Sequence, residues 1–500
     1  MLTSIGLAAL TLAAVGLPSD APSSVEEQAR KNLETQIQRL LLRPELKGAK
    51  VGLYVMRLDD GTELFAKNAD VLMVPASNVK ILTTAAALAT LSPDYRFRTE
   101  IYGDLASDGT LRGDLTVKGY GDPGLVPERL WYLASRLYFL GARVVQGDLV
   151  VDDSFFDGPR LATGFEQDET ASAYMAPSGA FSVGFNAAMI HVLPGPNGEA
   201  RVLVDPASDY AKIDNKAKTV HRGRTSLSVD VEPQDDRSVI KVTGQIHAKD
   251  EGRGFWRRID NPPLFGGEVL KKLLAQVGVT IKGKVRTGLA PTDAKLLVSL
   301  DSPRLAELLL RVNKNSSNFV AQQVALTMGA ELYGAPGTWD KGRLAIEAFL
   351  ARDVGIHPGS YLLANASGLH DVNRLTPRQL VTVLATMYRR NEVWPEFSAS
   401  FAVAAGSGTL ADRMRDTDAA HLLRAKTGTL SIASALSGFV PAKSGEPLAF
   451  SILVNDYAAP IADVWKVQDA LGHLLASVSF NLPTAAAPVV SRTIRAEPAP

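Results

Sequence analysis

Hydrophobic and polar positions follow two different periods along this chain, and the places where the period changes predict its elements. From Glu26 to Leu42 the charged residues take one side of a 3.6-residue repeat and Leu33, Ile37 and Leu41 the other, which predicts an amphipathic helix. Val51-Gly-Leu-Tyr-Val-Met56 and Glu63-Leu-Phe65 flank Asp59-Asp60-Gly61, a hairpin signal. Asn78 to Leu91 is rich in Ala and Leu and free of Gly and Pro, so it reads as a buried helix. Much later, Phe319 to about Leu332 opens as a second apolar helix, and strands are expected from Lys426 to Leu430, Ala435 to Val440 and Leu448 to Val454. The two early strands are expected to join these three in one antiparallel sheet with the Asn78–Leu91 helix packed against it.

Between Phe97 and Leu289 the pattern turns to short strands with dense turn signals, such as Leu115 to Lys118, Asp148 to Val151, Ile190 to Leu193 and Val239 to Val242. The expected organisation is a mixed α/β (α+β) multidomain chain. Residues 22–96 and 290–482 form one domain, residues 97–185 and 245–289 a domain inserted into it, and residues 186–244 a β-rich domain nested in the insertion. Five hundred residues with 46% hydrophobic content suffice for more than one core. At the start, Ile5 to Leu17 is apolar and Pro18-Ser19-Asp20-Ala21 follows, so residues 1–21 read as a secretory signal peptide, although no Lys or Arg precedes the apolar run. That run is shorter than the ~20 residues of a membrane span, and no later stretch qualifies as one. The Pro/Ala-rich tail, 483–500, reads as disordered.

Charge and composition narrow the chemistry. Fifty-three basic residues balance 53 acidic ones, so no global field favours nucleic acid. Without a single cysteine, disulfides and cysteine-ligated zinc are excluded, and the seven histidines contain no H-E-x-x-H pair. No metal or other cofactor is called for. Gly119-Tyr120-Gly121-Asp122-Pro123-Gly124 matches a dinucleotide fingerprint by letter, but Pro123 interrupts the loop and no ribose-binding acid follows at the right distance. Asp152, Asp153 and Asp157 lack the ligand spacing of a calcium loop and are read as a solvated turn.

Three short stretches carry the chemistry: Ser77-Asn78-Val79-Lys80, Ser316-Ser317-Asn318 and Lys426-Thr427-Gly428. Ser77 and Lys80 are three apart at the start of a helix and share a face, so the lysine amine reaches the serine hydroxyl. A serine needs a base to become a nucleophile, and a lysine whose pKa is depressed by burial and nearby positive charge can be that base. On the loop entering the second helix, Ser316 suits a proton relay, and Asn318 suits a hydrogen bond to a substrate amide or to Lys80. Lys426 and Thr427, on a strand to which an extended substrate can add, suit a terminal carboxylate. Gly428 permits close backbone approach, and the N–H groups of Ser77 and Thr429 are the expected oxyanion hole.

The trio S-x-x-K, S-x-N, K-T-G in this order is the signature of penicillin-binding proteins and class A β-lactamases. The chain resembles, across nearly all of its mature length, the D-alanyl-D-alanine carboxypeptidase/endopeptidase family, peptidase family S13, the class C low-molecular-mass penicillin-binding proteins. The resemblance extends to Gly147-Asp148-Leu149-Val150-Val151-Asp152-Asp153-Ser154-Phe155-Phe156-Asp157, Tyr174-Met175-Ala176-Pro177, Asp260-Asn261-Pro262, Ser367-Gly368-Leu369 and Asn373-Arg374-Leu375-Thr376-Pro377. Together with the 236 positions between Lys80 and Ser316, these stretches set it apart from class A β-lactamases. It departs at Ser317, where Asp or Asn is common, and at His370, where Ser is usual. The resemblance implies a penicillin-binding-protein/β-lactamase-like catalytic domain in an exported enzyme of the periplasm or cell envelope. It also implies peptidoglycan stem peptides as substrate and β-lactams as covalent inhibitors. In this reading Ser77, Lys80 and Ser316 are catalytic, and Asn318, Lys426, Thr427, Gly428 and Thr429 bind substrate. Two other classes share the residues: a β-lactamase or esterase, distinguished by fast release of its acyl-enzyme, and a non-catalytic wall-binding protein, distinguished by forming no adduct.

Overall fold

The computed structural model describes residues 24–167 and 170–481, so the expected signal peptide (1–21) and Pro/Ala-rich tail (483–500) lie outside the described residues. A six-stranded sheet organises both ends of the chain. Its strands are β1 (Lys50–Arg57), β2 (Glu63–Lys67), β3 (Ala402–Val403), β4 (Arg424–Leu430), β5 (Ala433–Pro441) and β6 (Pro447–Asn455), in the order β3-β4-β5-β6-β1-β2. Every neighbouring pair is antiparallel. The five expected strands are all present; β3, only two residues long, has no pattern to announce it.

Side chains alternate across this sheet because successive Cβ atoms point to opposite faces. Leu53, Val55, Leu436, Phe450 and Ile452 pack against α1 (Ser24–Leu40) and α6 (Ile461–Ser477). Tyr54, Ala435, Phe439, Ala449 and Leu453 pack against α2 (Val79–Leu91), α3 (Leu305–Asn313), α4 (Asn318–Tyr333) and α5 (Pro377–Tyr388). With both faces covered, β5 and β6 read as unbroken apolar runs rather than alternating ones. Helix α2 lies at the centre of the second layer, and its buried polar groups are all bonded: Thr83 Oγ1 donates to Ala366 O (2.7 Å), and Asn313 Nδ2 donates to Thr84 Oγ1 (3.1 Å).

A second sheet of five strands, in the order Val285–Thr287, Leu149–Asp152, Leu115–Gly119, Arg98–Tyr102, Leu296–Asp301, forms the inserted layer, with helices Pro127–Phe139 and Pro262–Val277 sharing its core. The last strand lies beyond the boundary expected at 289. It belongs to the insertion because it pairs antiparallel with Arg98–Tyr102, a long-range pairing that local pattern cannot reveal. Two smaller sheets lie between Ala187–Pro194 and Arg253–Arg258, which pair with each other, so strand pairing runs past the position expected as a boundary at 244. The discounted fingerprint is a tight turn in which Asp122 accepts from Gly124 N (2.8 Å) and pairs with Arg129 (2.9 Å). Asp152 and Asp153, expected on a solvated turn, are instead largely buried, Asp152 at the end of a strand, and are paired with Lys118 (3.1 Å) and Arg160 (2.7 Å). No helix among the described residues is long and apolar enough to cross a membrane.

One side chain ties the loop before α2 to the sheet. Asn455, the last residue of β6, accepts from Val74 N (2.8 Å) and donates to Val74 O (3.0 Å), so an amide takes the place of a missing strand neighbour. Asn455→Ala leaves both of these buried backbone groups without a partner, at about 1–3 kcal/mol for each unsatisfied group. The expected outcome is a clear fall in thermal midpoint, read by calorimetry.

Candidate active site

Ser77 sits in a short 3₁₀ turn, Ala76–Asn78, that leads into α2, so its N–H belongs to the first turn of a helix, where donors lack partners within the helix. Ala76 takes φ +46°, a left-handed value unfavourable for any residue with a Cβ. Two glycines make the turn possible. A Cβ on Gly368 (φ +74°) would stand 1.9 Å from Ala76 O, and one on Gly428 would stand 3.0 Å from Ala76 Cβ and from Asn78 Nδ2. A side chain at Gly428 would thus crowd the Ser77 turn.

Lys80 Nζ lies 3.0 Å from Ser77 Oγ, and donates to Asn318 Oδ1 (2.7 Å) and Ser367 O (2.5 Å). Asn318 Nδ2 donates to Tyr174 O (3.1 Å), which fixes the orientation of the amide with its oxygen toward the lysine. Of the two roles expected for Asn318, the structure thus supplies the bond to Lys80, and both ends of the amide are engaged. Lys80 has no solvent exposure, and its pKa is pushed well below the ordinary lysine value, first by desolvation and then by the charge of Lys426.

Ser316 occupies the turn between α3 and α4 with φ +60°, a strained conformation of the kind that clusters at functional sites. Its Oγ accepts from Lys426 Nζ at 2.9 Å, and the same amine donates to Thr427 O at 2.7 Å. Lys426 is fully buried on β4, and burial lowers its pKa to about 7. Thr427 Oγ1 donates to Thr409 Oγ1 (2.7 Å), and Thr429, next but one along β4, is exposed. Ser317, the first departure from the family pattern, caps α4 by accepting from Val320 N (3.3 Å). His370, the second, faces the ring of Phe165 (centroids 6.1 Å apart) in a satellite cluster.

All eight residues named from sequence lie on three stretches, the turn into α2 with the first turn of that helix, the turn into α4 with its first residue, and β4, and these converge. Several partners were not foreseen. Ser367 contributes a backbone carbonyl, and its loop is organised by Asn365, whose Oδ1 accepts from Ser367 N (3.1 Å) and Gly368 N (2.8 Å). Gln322 Nε2, one turn along α4 from Asn318, donates to Ser367 Oγ (3.1 Å). Tyr174 belongs to the inserted segment and contributes only its carbonyl. Carbonyl contacts are independent of residue type and leave no mark on the sequence; the one available signal was the Ser367-Gly368-Leu369 stretch itself.

Comparison with known proteins agrees with this geometry. Residues 33–478 match the D-Ala-D-Ala carboxypeptidase 3 (S13) family. A D-alanyl-D-alanine carboxypeptidase of Actinomadura sp. (strain R39) is 36% identical over 462 residues, 89% of this chain and 84% of that protein. The D-alanyl-D-alanine carboxypeptidase DacB of Haemophilus influenzae is 26% identical over 417 residues, 82% of this chain and 86% of that protein. The crystal structure of penicillin binding protein 4 from the same organism shares the fold at TM-score 0.77 and 23% identity, covering 88% of this chain and 99% of that one.

Gly368→Ala is expected to displace the Ala76–Asn78 turn by about an ångström, which costs on the order of 10²-fold in acylation rate. Gly428→Ala, with looser contacts, should cost less. Stopped-flow acylation by a chromogenic β-lactam ranks the two, and equal rates would refute this account of the turn.

Proposed function

We propose an acyl-transfer path for this chain, which belongs to the D-Ala-D-Ala carboxypeptidase 3 (S13) family and is a serine-type D-alanyl-D-alanine carboxypeptidase. The observation that carries the path is the set of partners around Lys80 Nζ. A neutral amine has two N–H groups and one lone pair. Asn318 Oδ1 and Ser367 O can only accept, so they take both N–H groups. The lone pair is left for the third neighbour, the Ser77 hydroxyl at 3.0 Å. Burial and the charge of Lys426 favour this neutral form, so the base is poised before substrate arrives.

Ser77 Oγ, giving its proton to Lys80, attacks the carbonyl of the penultimate D-alanine in a peptidoglycan stem peptide. The N–H groups of Ser77 and Thr429 receive the oxyanion. The proton passes through Ser316 to the leaving amine of the terminal D-alanine, and water then releases the acyl-enzyme. The substrate strand adds along the free length of β4, beyond its short pairing with β3. Thr427 presents a hydroxyl to the terminal carboxylate while Lys426 supplies positive charge from beneath through its bond to Ser316. Asn318 acts by holding Lys80. The same site can open a cross-link, since a D,D-endopeptidase cuts the same kind of bond with a larger leaving amine. β-Lactams acylate the same serine; the Haemophilus penicillin binding protein 4, a fold neighbour at TM-score 0.72, was crystallised with one. Export to the cell envelope is inferred from residues 1–21 as a leader.

Incubation of the mature protein with a penicillin, read by intact mass, is expected to add one drug mass, absent in Ser77→Ala. An intact drug without adduct sinks the catalytic reading, and a hydrolysed drug without adduct moves it to a β-lactamase. The second expectation concerns pH. Lys426 is charged below its pKa of about 7 and neutral above it, so kcat/KM for a peptide with a free terminal carboxylate should fall as pH rises through 7. Lys426→Arg, which stays charged, should remove that limb of the profile.

A further inference from the structure

The Pro127–Phe139 helix of the insertion buries Leu130, Leu133, Ala134 and Leu137 in the core of its own domain. Its other face is open: Phe139 is 83% exposed, Tyr132 53% and Trp131 49%. Glu128, Trp131, Tyr132, Ser135 and Phe139 stand at i, i+3, i+4, i+7 and i+11, which places them in a single stripe. A cluster of exposed aromatic rings in a contiguous patch marks an interaction surface. Arg136, at the edge of the stripe, is drawn toward the sheet by its bond to Ser299 O (2.6 Å).

The stripe is complementary to itself. Ser135 lies at its midpoint, only 7% exposed, with Trp131 one turn before it and Phe139 one turn after. Glu128 is exposed at one end and, among the described residues, makes no ion pair. At the other end Arg143 folds back over the Tyr138 ring (3.9 Å) and donates to Tyr138 O (2.9 Å) and Ala142 O (2.7 Å), with no carboxylate partner among the described residues. A two-fold axis through Ser135 lays the helix antiparallel on its copy. The rings of Trp131 then meet those of Phe139, and each Glu128 reaches the end that holds Arg143.

We propose that this face is a self-association surface that docks a second copy of the chain about a two-fold axis. One helix face is smaller than the ~800 Å² per partner of a standard interface, so the dimer forms in the micromolar range or more weakly.

Sedimentation velocity of the mature protein from about 1 to 100 μM tests this, since that range brackets a micromolar dissociation constant. The wild type is expected to shift from monomer to dimer, and Phe139→Asp to stay monomeric while its acylation by penicillin is unchanged. Glu128→Arg is expected to weaken the dimer about tenfold, and Glu128→Arg with Arg143→Glu to restore it, because like charges across an interface repel and exchanged ones pair. A wild type that is monomeric throughout overturns the proposal, as does a dimer that Phe139→Asp leaves intact. A monomer that floats with vesicles of anionic phospholipid overturns it in favour of a lipid surface.

Discussion

The desolvation of one ammonium group governs the active site. Lys80 is placed by the geometry of α2 where water does not reach, in a helix otherwise made of Val, Ile, Leu, Ala and Thr. An isolated lysine there would be a costly defect. Two acceptors, one carbonyl from the Ser367 loop and one amide oxygen from the start of α4, satisfy its N–H groups, and burial pushes its pKa well below the ordinary lysine value. Everything else about the site follows from keeping those acceptors in place: the Asn365 hub that shapes the Ser367 loop, Gln322 braced against Ser367, and the glycine that lets this loop press on the turn of the nucleophile.

The second buried lysine completes the pattern. Lys426 discourages a charge on Lys80, and a Lys80 that is neutral puts no charge against Lys426, whose depressed pKa has desolvation as its cause. In the proposed path two like groups in one dry site divide the labour, one as base and one as cation, through their environments rather than their chemistry. The insertion takes part as well. Tyr174 O orients Asn318, Gln323 Nε2 donates to Gly179 O (2.9 Å), and Trp339 Nε1 donates to Pro159 O (2.7 Å), so the inserted segment is bonded to α4 and its neighbours around the catalytic start of that helix.

Much of this was legible in sequence because the chemistry is local. Ser77 and Lys80 are one turn apart, Lys426 to Thr429 form one strand, and the apolar runs of β5 and β6 declare themselves. What escaped was set at a distance. The strand Leu296–Asp301 belongs to the insertion only through its partner Arg98–Tyr102, and Arg253–Arg258 to the nested unit only through Ala187–Pro194. Asn318 looked like a substrate ligand as much as a support, and only the facing Tyr174 carbonyl assigns its amide. Asn455, an ordinary residue at a strand end, gave no sign that it clamps Val74.

That clamp joins residues 381 positions apart, and β1 pairs along its whole length with β6. The hairpin of β1 and β2 is made first, and it is the last piece to be joined to the rest of its sheet. The inserted sheets, whose contacts close earlier in the chain, are complete while β1 and the nucleophile helix still wait for β6 to be synthesised. A chain cut short before β6 therefore carries the inserted sheets but lacks both the partner of β1 and the clamp on the loop before Ser77.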